Sequence, residues 1–197
     1  LLELMKKYII QFFGEAPAAT YGYNKIINEK NFDRLANYLS QGKIIAGGTH
    51  DRTTLFIAPT ILEEVSPDAP VMQEEIFGPV LPVFTFTDKE QALALIRRNP
   101  NPLSFYIFTG SRQKEQEWIE QVQFGSGCVN NTAMQFTNHH LPFGGVGQSG
   151  IGAYHGRKTF DVFTHYKSVM KTPAWFDPAL KYPPLKGKMR LLKFFIK

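Results

Sequence analysis

The sequence predicts an α/β protein built on a mixed, mostly parallel sheet. Short β-rich runs alternate with amphipathic windows of helical period, in the order β-turn-α-β-α-β. Apolar residues make up 43% of the 197-residue chain and aromatics 14%, enough for a sizeable core and against global disorder. The length suits one domain or one and a half.

The elements follow in order. Leu2, Met5, Ile9 and Phe12 recur at helical spacing, and Gly14 can end that helix. Residues 15–24 read as a loop rich in Ala, Pro, Gly and Tyr. Phe32, Leu35 and Leu39 mark a second helix, closed by Gly42. Residues 43–46 form a short strand before the Gly47-Gly48 turn, and 53–58 a second strand stopped by Pro59. Residues 80–86 read as a buried strand. Thr87-Asp-Lys-Glu90 then has capping-box spacing and opens a helix through Ala92, Leu95 and Ile96, which Asn99-Pro-Asn-Pro102 ends. Residues 104–108 are β-rich. Ser111 caps a further helix with Trp118, Ile119 and Val122 on one face, and 125–130 reads as another short strand.

Residues 131–156 break the alternation with a long loop rich in Gly, His, Asn and Phe, and a loop that long inside a compact domain is often functional. From Phe160 to Lys171 the pattern alternates again through Val162, Thr164, Tyr166, Ser168 and Met170. This predicts a strand, and an edge strand is open to pairing with another chain. Residues 172–184 are Pro-rich and irregular. In the tail, Leu185, Met189, Leu192 and Phe195 form one helical stripe, with Lys186, Arg190, Lys193 and Lys197 beside it. That pattern suits an anionic membrane surface, or else a helix packed on a partner or a soluble terminus.

The net charge of +5 belongs to this tail, where Lys181, Lys186, Lys188, Arg190, Lys193 and Lys197 stand without an acid. The body is nearly neutral and has no nucleic-acid footprint. No apolar run approaches the roughly 18 to 20 residues of a membrane span, and no secretory signal is visible. The single cysteine, Cys128, excludes a disulfide framework and a multi-cysteine metal site. A cytoplasmic chain fits. The first residue is Leu1, and the opening helix looks already under way, so a piece of a longer protein is expected.

Chemistry is sparse. Gly145-Val-Gly-Gln-Ser-Gly150 matches G-x-G-x-x-G, but a dinucleotide loop needs a strand before it and a helix after. Pro142 spoils the strand, Gly152 weakens the helix start, and Asp161 comes too early for a ribose partner. These glycines read instead as letting the backbone pass close to something bulky. Cys128, with His139, His140 or His155 as base, would make a nucleophile, yet it sits in an apolar strand pattern where a small buried hydrophobe is the plainer reading. His139-His140 lacks the carboxylate or thiolate partners of a metal site, so no metal is expected. Glu74 and Glu75 run into Ile76, Phe77 and the Gly78-Pro79 breaker beside the 80–86 strand. On spacing alone the glutamates are solvated and Phe77 is core; alternatively, Glu75 and Phe77 face a ligand at the sheet mouth.

Glu74-Glu-Ile-Phe-Gly-Pro79, Asn138-His-His-Leu-Pro-Phe-Gly-Gly-Val-Gly-Gln-Ser-Gly150 and Gly152-Ala-Tyr-His-Gly156 resemble the C-terminal half of an aldehyde dehydrogenase, of the class 3 type that includes bacterial and fatty-aldehyde enzymes. The resemblance runs from the first helix to Tyr182-Pro-Pro184. It implies an enzyme that oxidises an aldehyde substrate to a carboxylic acid with NAD or NADP. A cysteine thiolate attacks the carbonyl, hydride passes to the cofactor, and a glutamate-activated water hydrolyses the thioester. The family's nucleophile, activating glutamate and Rossmann-like domain correspond to sequence upstream of Leu1, and Cys128 does not match the nucleophile. By the same resemblance Glu75 matches the carboxylate that holds the nicotinamide-ribose hydroxyls, and Phe77 the aromatic beside that ribose. Phe143 matches an aromatic lining the aldehyde pocket, and Thr137 and His155 look like pocket-loop positions.

The implied organisation is residues 1–160 as the C-terminal part of the catalytic domain, 161–171 as the strand of an oligomerisation sheet and hence of a homodimer, and 172–197 as a Pro-rich linker and basic amphipathic tail. The tail lacks the long apolar span of membrane-anchored fatty-aldehyde enzymes, which leaves peripheral contact through 185–197. Two competing roles carry different tests: a non-catalytic dimerisation or membrane-surface module, and a cysteine hydrolase using Cys128.

Overall fold

A computed structural model describes residues 1–195, and the chain divides into two compact units, Leu1–Pro100 and Asn101–Lys197. Lys197, the last cation of the predicted basic stripe, lies outside the described residues.

The first unit opens with α1 (Leu2–Phe13), which Gly14 ends at φ 71°, then α2 (Glu29–Tyr38). Asn28 caps α2, its side chain accepting the Asn31 N–H at 2.9 Å. Four short strands follow: β1 (Lys43–Ala46), β2 (His50–Asp51), β3 (Phe56–Ile57) and β4 (Thr60–Glu63); then β5 (Val80–Pro82) and α3 (Lys89–Arg98). β1, β4 and β5 make one sheet, with β4 in the middle, antiparallel to β1 and parallel to β5; β2 and β3 form a separate antiparallel pair. The core sits under α2. Phe32, Leu35, Tyr38 and Leu39 pack with Ile57, Leu62, Val65, Val71 and Val80, so the helical spacing of Phe32, Leu35 and Leu39 does mark the buried face.

The second unit is built on β6 (Ser104–Ile107) and β7 (Ser126–Val129), paired in parallel, with α4 (Arg112–Gln121) between them in sequence. This is the expected strand-helix-strand crossover. Phe105 meets Trp118 of α4 at 6.2 Å between ring centres and Phe124 at 5.4 Å. Beyond β7 come α5 (Met134–Thr137), α6 (Gly156–Phe163) and α7 (Met189–Phe195). The architecture is mixed α/β with partly parallel sheets, and its described pairings are two parallel and two antiparallel.

Several predicted elements move. The strand expected over 53–58 is only Phe56–Ile57, because Asp51 binds the Thr53 N–H and both threonine hydroxyls and holds a turn there. That strand does end before Pro59, but an unexpected one, β4, follows at once and is the central strand. The 80–86 strand stops at Pro82 as an assigned element, although the Val83 N–H still reaches the Leu62 carbonyl at 2.8 Å. The cap of α3 is Asp88, one residue later than expected, and Gln91 accepts the N–H of Thr87, the residue before that cap. The strand expected from Phe160 begins as helix instead. Residues 160–163 are the last turn of α6, whose start is secured by the His155 N–H on Thr159 Oγ1 at 2.8 Å and whose length carries an Arg157–Asp161 ion pair. Residues 164–171 follow in no helix or strand of the chain itself. The tail helix begins at Met189 and not at 185, because Gly187 at φ 82° and a Lys188 N–H bonded to the Leu185 carbonyl put a turn before it.

Candidate functional site

In the first unit, one segment is held in place from below and open above. Arg34 of α2 donates to the Ile76 carbonyl at 2.8 Å and the Glu75 carbonyl at 3.4 Å, and pairs with the Glu74 carboxylate at 3.5 Å. Tyr38, one turn on, is buried and gives its hydroxyl to the same Glu74 carboxylate. This hydroxyl, and after it the Arg34 charge, hold the Glu74 carboxyl below its ordinary range. Burial first, and then the carboxylate it faces, push the Tyr38 hydroxyl up, so the proton stays on tyrosine.

The side chains of Glu75 and Phe77 are free of this clamp. The Glu75 carboxylate is exposed and has no partner among the described residues. Phe77 is 74% exposed and stands at φ 47°, in the left-handed region. For a bulky aromatic this is a strained conformation, of the kind that clusters at ligand-binding positions and costs about 1–3 kcal/mol. Phe77 therefore is not core. Behind it Gly78 lies so close to the buried Leu35 that a Cβ would stand 2.5 Å from Leu35 Cδ1. Phe77 and Pro79 also wall a groove of about 460 Å3 with Tyr23, Lys25, Ile27 and Asn31.

A carboxylate able to accept two hydroxyls, beside a flat apolar ring, is an acceptor and a packing surface suited to a ribose. The pair Glu75 and Phe77 fits the nucleotide-sugar edge of a nicotinamide cofactor on that ground.

In the second unit the 131–156 loop gathers aromatic side chains. Phe143 and Tyr154 exchange backbone hydrogen bonds at 2.9 Å each, an isolated antiparallel bridge that closes the loop on itself. The Phe143 ring stacks on His155 at 6.0 Å and meets Phe136 edge-on at 6.4 Å; His139 sits edge-on to His155 at 5.7 Å. So Phe143 and His155 come together. Thr137 lies on exposed α5, its hydroxyl donating to the Met134 carbonyl at 2.9 Å. His155 adopts φ 86°, and its Nδ1 is buried without a hydrogen-bond partner among the described residues. Such an orphaned acceptor or donor is costly unless something meets it.

The G-x-G-x-x-G match is a feature of this same loop. Its glycines serve close approach, but to the loop's own backbone: a Cβ on Gly145 would stand 2.2 Å from Ser149, and one on Gly144 2.1 Å from the Gly152 carbonyl. A short 3-10 turn over Gly147–Ser149 follows in place of a helix. Cys128 is likewise not a nucleophile with a base. Its Sγ–H donates to the Gln135 side-chain carbonyl at 3.0 Å, whereas His155 packs against His139 and Phe143. Among the described residues no group of three His, Cys, Asp or Glu is placed to hold a metal ion.

Sequence reading missed Arg34, Tyr38 and Gln135. Arg34 and Tyr38 flank the apolar positions of α2, and nothing local links them to a segment some forty residues on. Gln135 sits in a loop whose composition gave no sign of a buried polar group.

The chain is thus a mixed α/β protein with an exposed carboxylate beside an exposed aromatic ring in one unit and an aromatic loop in the other. Comparison makes the family specific. Residues 5–169 match the model of the aldehyde dehydrogenase family, and the chain belongs to that family. Aldehyde dehydrogenase family 3 member H1 of Arabidopsis thaliana is 42% identical over 201 residues, covering 100% of this chain and 42% of that protein. The bovine (Bos taurus) "aldehyde dehydrogenase, dimeric NADP-preferring" is 40% identical over 185 residues, covering 93% of this chain and 77% of the relative. A substrate-bound state of Staphylococcus aureus AldH superposes with a TM-score of 0.87 at 39% identity, covering 100% of this chain and 43% of that one. The chain thus spans under half the length of the Arabidopsis relative and of the Staphylococcus structure.

Proposed function

We propose that this chain supplies the cofactor-ribose edge and part of the aldehyde pocket of an NAD(P)+-dependent aldehyde dehydrogenase, which oxidises an aldehyde to a carboxylic acid. The observation that carries the proposal is the contrast between Glu74 and Glu75. The first carboxylate is spent on Tyr38 and Arg34, and the second is left exposed beside the strained, exposed Phe77. In this reading Glu75 accepts the two ribose hydroxyls and Phe77 packs beside the sugar, together fixing the nicotinamide for hydride transfer. Phe143, His155 and Thr137 line the aldehyde side, where the aromatic lining favours an apolar aldehyde. NAD and NADP both suit Glu75 and Phe77, which meet the sugar on the nicotinamide side.

The test is Glu75→Gln in the complete enzyme that carries this chain. A charge-assisted hydrogen bond lost from a hydride-transfer geometry should slow dehydrogenase turnover about tenfold or more. Ester hydrolysis through the cysteine, which needs no hydride transfer, should stay close to wild type. An equal loss of both activities counts against the cofactor role. The family's nucleophile and activating glutamate match no residue of this chain, so the 197-residue chain by itself is expected to form no NADH or NADPH.

A second reading is a dimerisation or membrane-surface module. Residues 164–171 support it, lying in no helix or strand and exposed from His165 on, with no strand of the described chain paired to them. The tail supports it as well. Lys181 pairs with Asp177, and Lys188 binds the carbonyls of Ala179 and Tyr182, so both are engaged internally. Lys186, Arg190 and Lys193 meet no acid among the described residues, and Met189 and Leu191 are exposed beside them. No helix of the described residues is long and apolar enough to cross a membrane, so such contact would be at the surface. A cytoplasmic site of action accords with both readings.

A further inference from the structure

Gln135 is 6% exposed, while Met134, Phe136 and Thr137 around it are all exposed. Its amide works as a hub. Oε1 accepts the Cys128 Sγ–H at 3.0 Å, and Nε2 donates to Ser104 Oγ at 3.3 Å and to the Tyr106 hydroxyl at 3.1 Å. Ser104 and Tyr106 belong to β6 and Cys128 to β7, where Tyr106 and Cys128 are direct partners across the parallel pair. One side chain therefore ties α5 to both strands of the sheet. The hydrogen bond from Gln135 also lowers the Tyr106 hydroxyl from its ordinary range, in keeping with a donated N–H.

Helix α5 needs such a tie. Its four residues are far below the roughly 12 to 15 at which an isolated helix begins to hold itself. It has no side-chain cap at its start, and the chain enters it through Ala133 at φ 62°, an unfavourable conformation for a residue with a Cβ. The next residues carry the site: Phe136 meets the Phe143 ring, and Thr137 closes the turn onto the Met134 carbonyl. A buried amide with both its groups engaged fixes rotation as well as position, since each hydrogen bond has its own direction.

We propose that Gln135 is the positioning residue of the aldehyde pocket, anchoring the 133–137 wall to β6 and β7 through Cys128, Ser104 and Tyr106. The inference rests on the reading of Thr137 and Phe143 as pocket residues. It assigns Gln135 no contact with substrate, and it gives Cys128 the task of hydrogen-bond donor.

The test uses Gln135→Met, which keeps volume and removes the amide, in the complete enzyme, beside Thr137→Ala and Phe143→Ala. Gln135→Met should raise the aldehyde KM about fivefold or more, since small misplacements of a binding wall are amplified in the reaction. The KM for NAD(P)+ should stay within about twofold of wild type, because Gln135 acts on the aldehyde side alone. Amide hydrogen exchange over 131–140 should quicken, a readout independent of turnover. An unchanged aldehyde KM with only a lowered Tm would make Gln135 a stabilising residue and overturn the proposal. Unchanged aldehyde KM in Thr137→Ala and Phe143→Ala would overturn the pocket reading itself, and with it this inference, whatever the exchange result. Should Gln135→Met fail to fold, Tyr106→Phe removes one bond of the hub and keeps the ring. It should move the aldehyde KM in the same direction, by about twofold, and no movement overturns the proposal.

Discussion

Glu74 and Glu75 carry the same side chain one residue apart, and they differ because Tyr38 and Arg34 reach only the first carboxylate. The difference has a sign in pH. The Glu74 carboxyl is held below its ordinary value of 4.5 by the Tyr38 hydroxyl first, with the Arg34 charge adding to it. A depressed folded-state pKa contributes stability that is present above the unfolded value and is lost as pH falls through the folded one. Thermal unfolding followed from neutral pH down through the carboxylate range should therefore show Glu74→Gln losing less Tm on acidification than the wild type. At neutral pH the variant should already be the less stable of the two. A wild-type and variant acid limb of equal slope would remove the clamp from the account. Arg34→Met should act differently, loosening the Glu75 and Ile76 carbonyls as well. The expected signature is a raised KM for NAD(P)+ with the aldehyde KM little changed, checked by steady-state kinetics on the complete enzyme.

Elements in this chain are short, and their ends are decided by single contacts. Gly78 is one such case. A Cβ there would press on Leu35, which is 0% exposed at the centre of the α2 core. Gly78→Ala should cost about 1–3 kcal/mol through forced repacking and should shift Phe77 with it, read as a lowered denaturation midpoint. Asn28→Ala, removing the α2 cap, should cost about 1 kcal/mol by the same measurement and leave Phe77 in place. These contacts also explain what could be read from the sequence. The helices α1, α2, α3 and α4 were legible because their apolar period and caps are local. The strands at 43–46, 104–107 and 126–129 were legible because β-rich runs bounded by glycine and proline leave little choice. Central strand β4 was missed because Thr60-Ile-Leu-Glu63 comes straight after Pro59, and its partners are supplied by residues 43–46 and 80–82. Alternation over 160–171 suggested a strand, but the local bonds of His155, Thr159, Arg157 and Asp161 favour one more helical turn first. The candidate residues were named through the motifs that carry the family resemblance. The clamp beneath Glu75 and the hub beneath Thr137 were not, because each joins segments distant in sequence.

At the scale of the whole molecule, the deciding matter is what residues 164–171, outside any helix or strand, and the cationic tail meet. The Thr164 N–H bonds the Asp161 carbonyl, and the segment after it pairs with no strand among the described residues; such a segment is a template for a second strand, and a second copy of this chain offers an identical one. Tyr166, Val169 and Met170 are exposed there, and the Tyr166 hydroxyl is turned back to Asp161 at 2.5 Å. If the complete enzyme pairs through this segment, Ser168→Pro, which removes one donor from its middle, should shift light scattering from dimer toward monomer and leave the KM for NAD(P)+ unchanged. A dimer undisturbed by that change would place the interface elsewhere. The tail is tested independently by charge. Lys186, Arg190 and Lys193 are each worth about 1 kcal/mol near an anionic surface, an attraction that falls off within a Debye length of about 10 Å at 0.1 M salt. Replacing all three by Ala should release the protein from vesicles containing phosphatidylserine in a sedimentation assay, and raising the salt should do the same to the wild type. Lys181 and Lys188 give the control, since both are held inside the chain by Asp177, Ala179 and Tyr182. Altering Lys181 should leave vesicle binding nearly unchanged, and if it weakens binding as much as the triple change does, net charge and not the amphipathic helix is what the membrane reads.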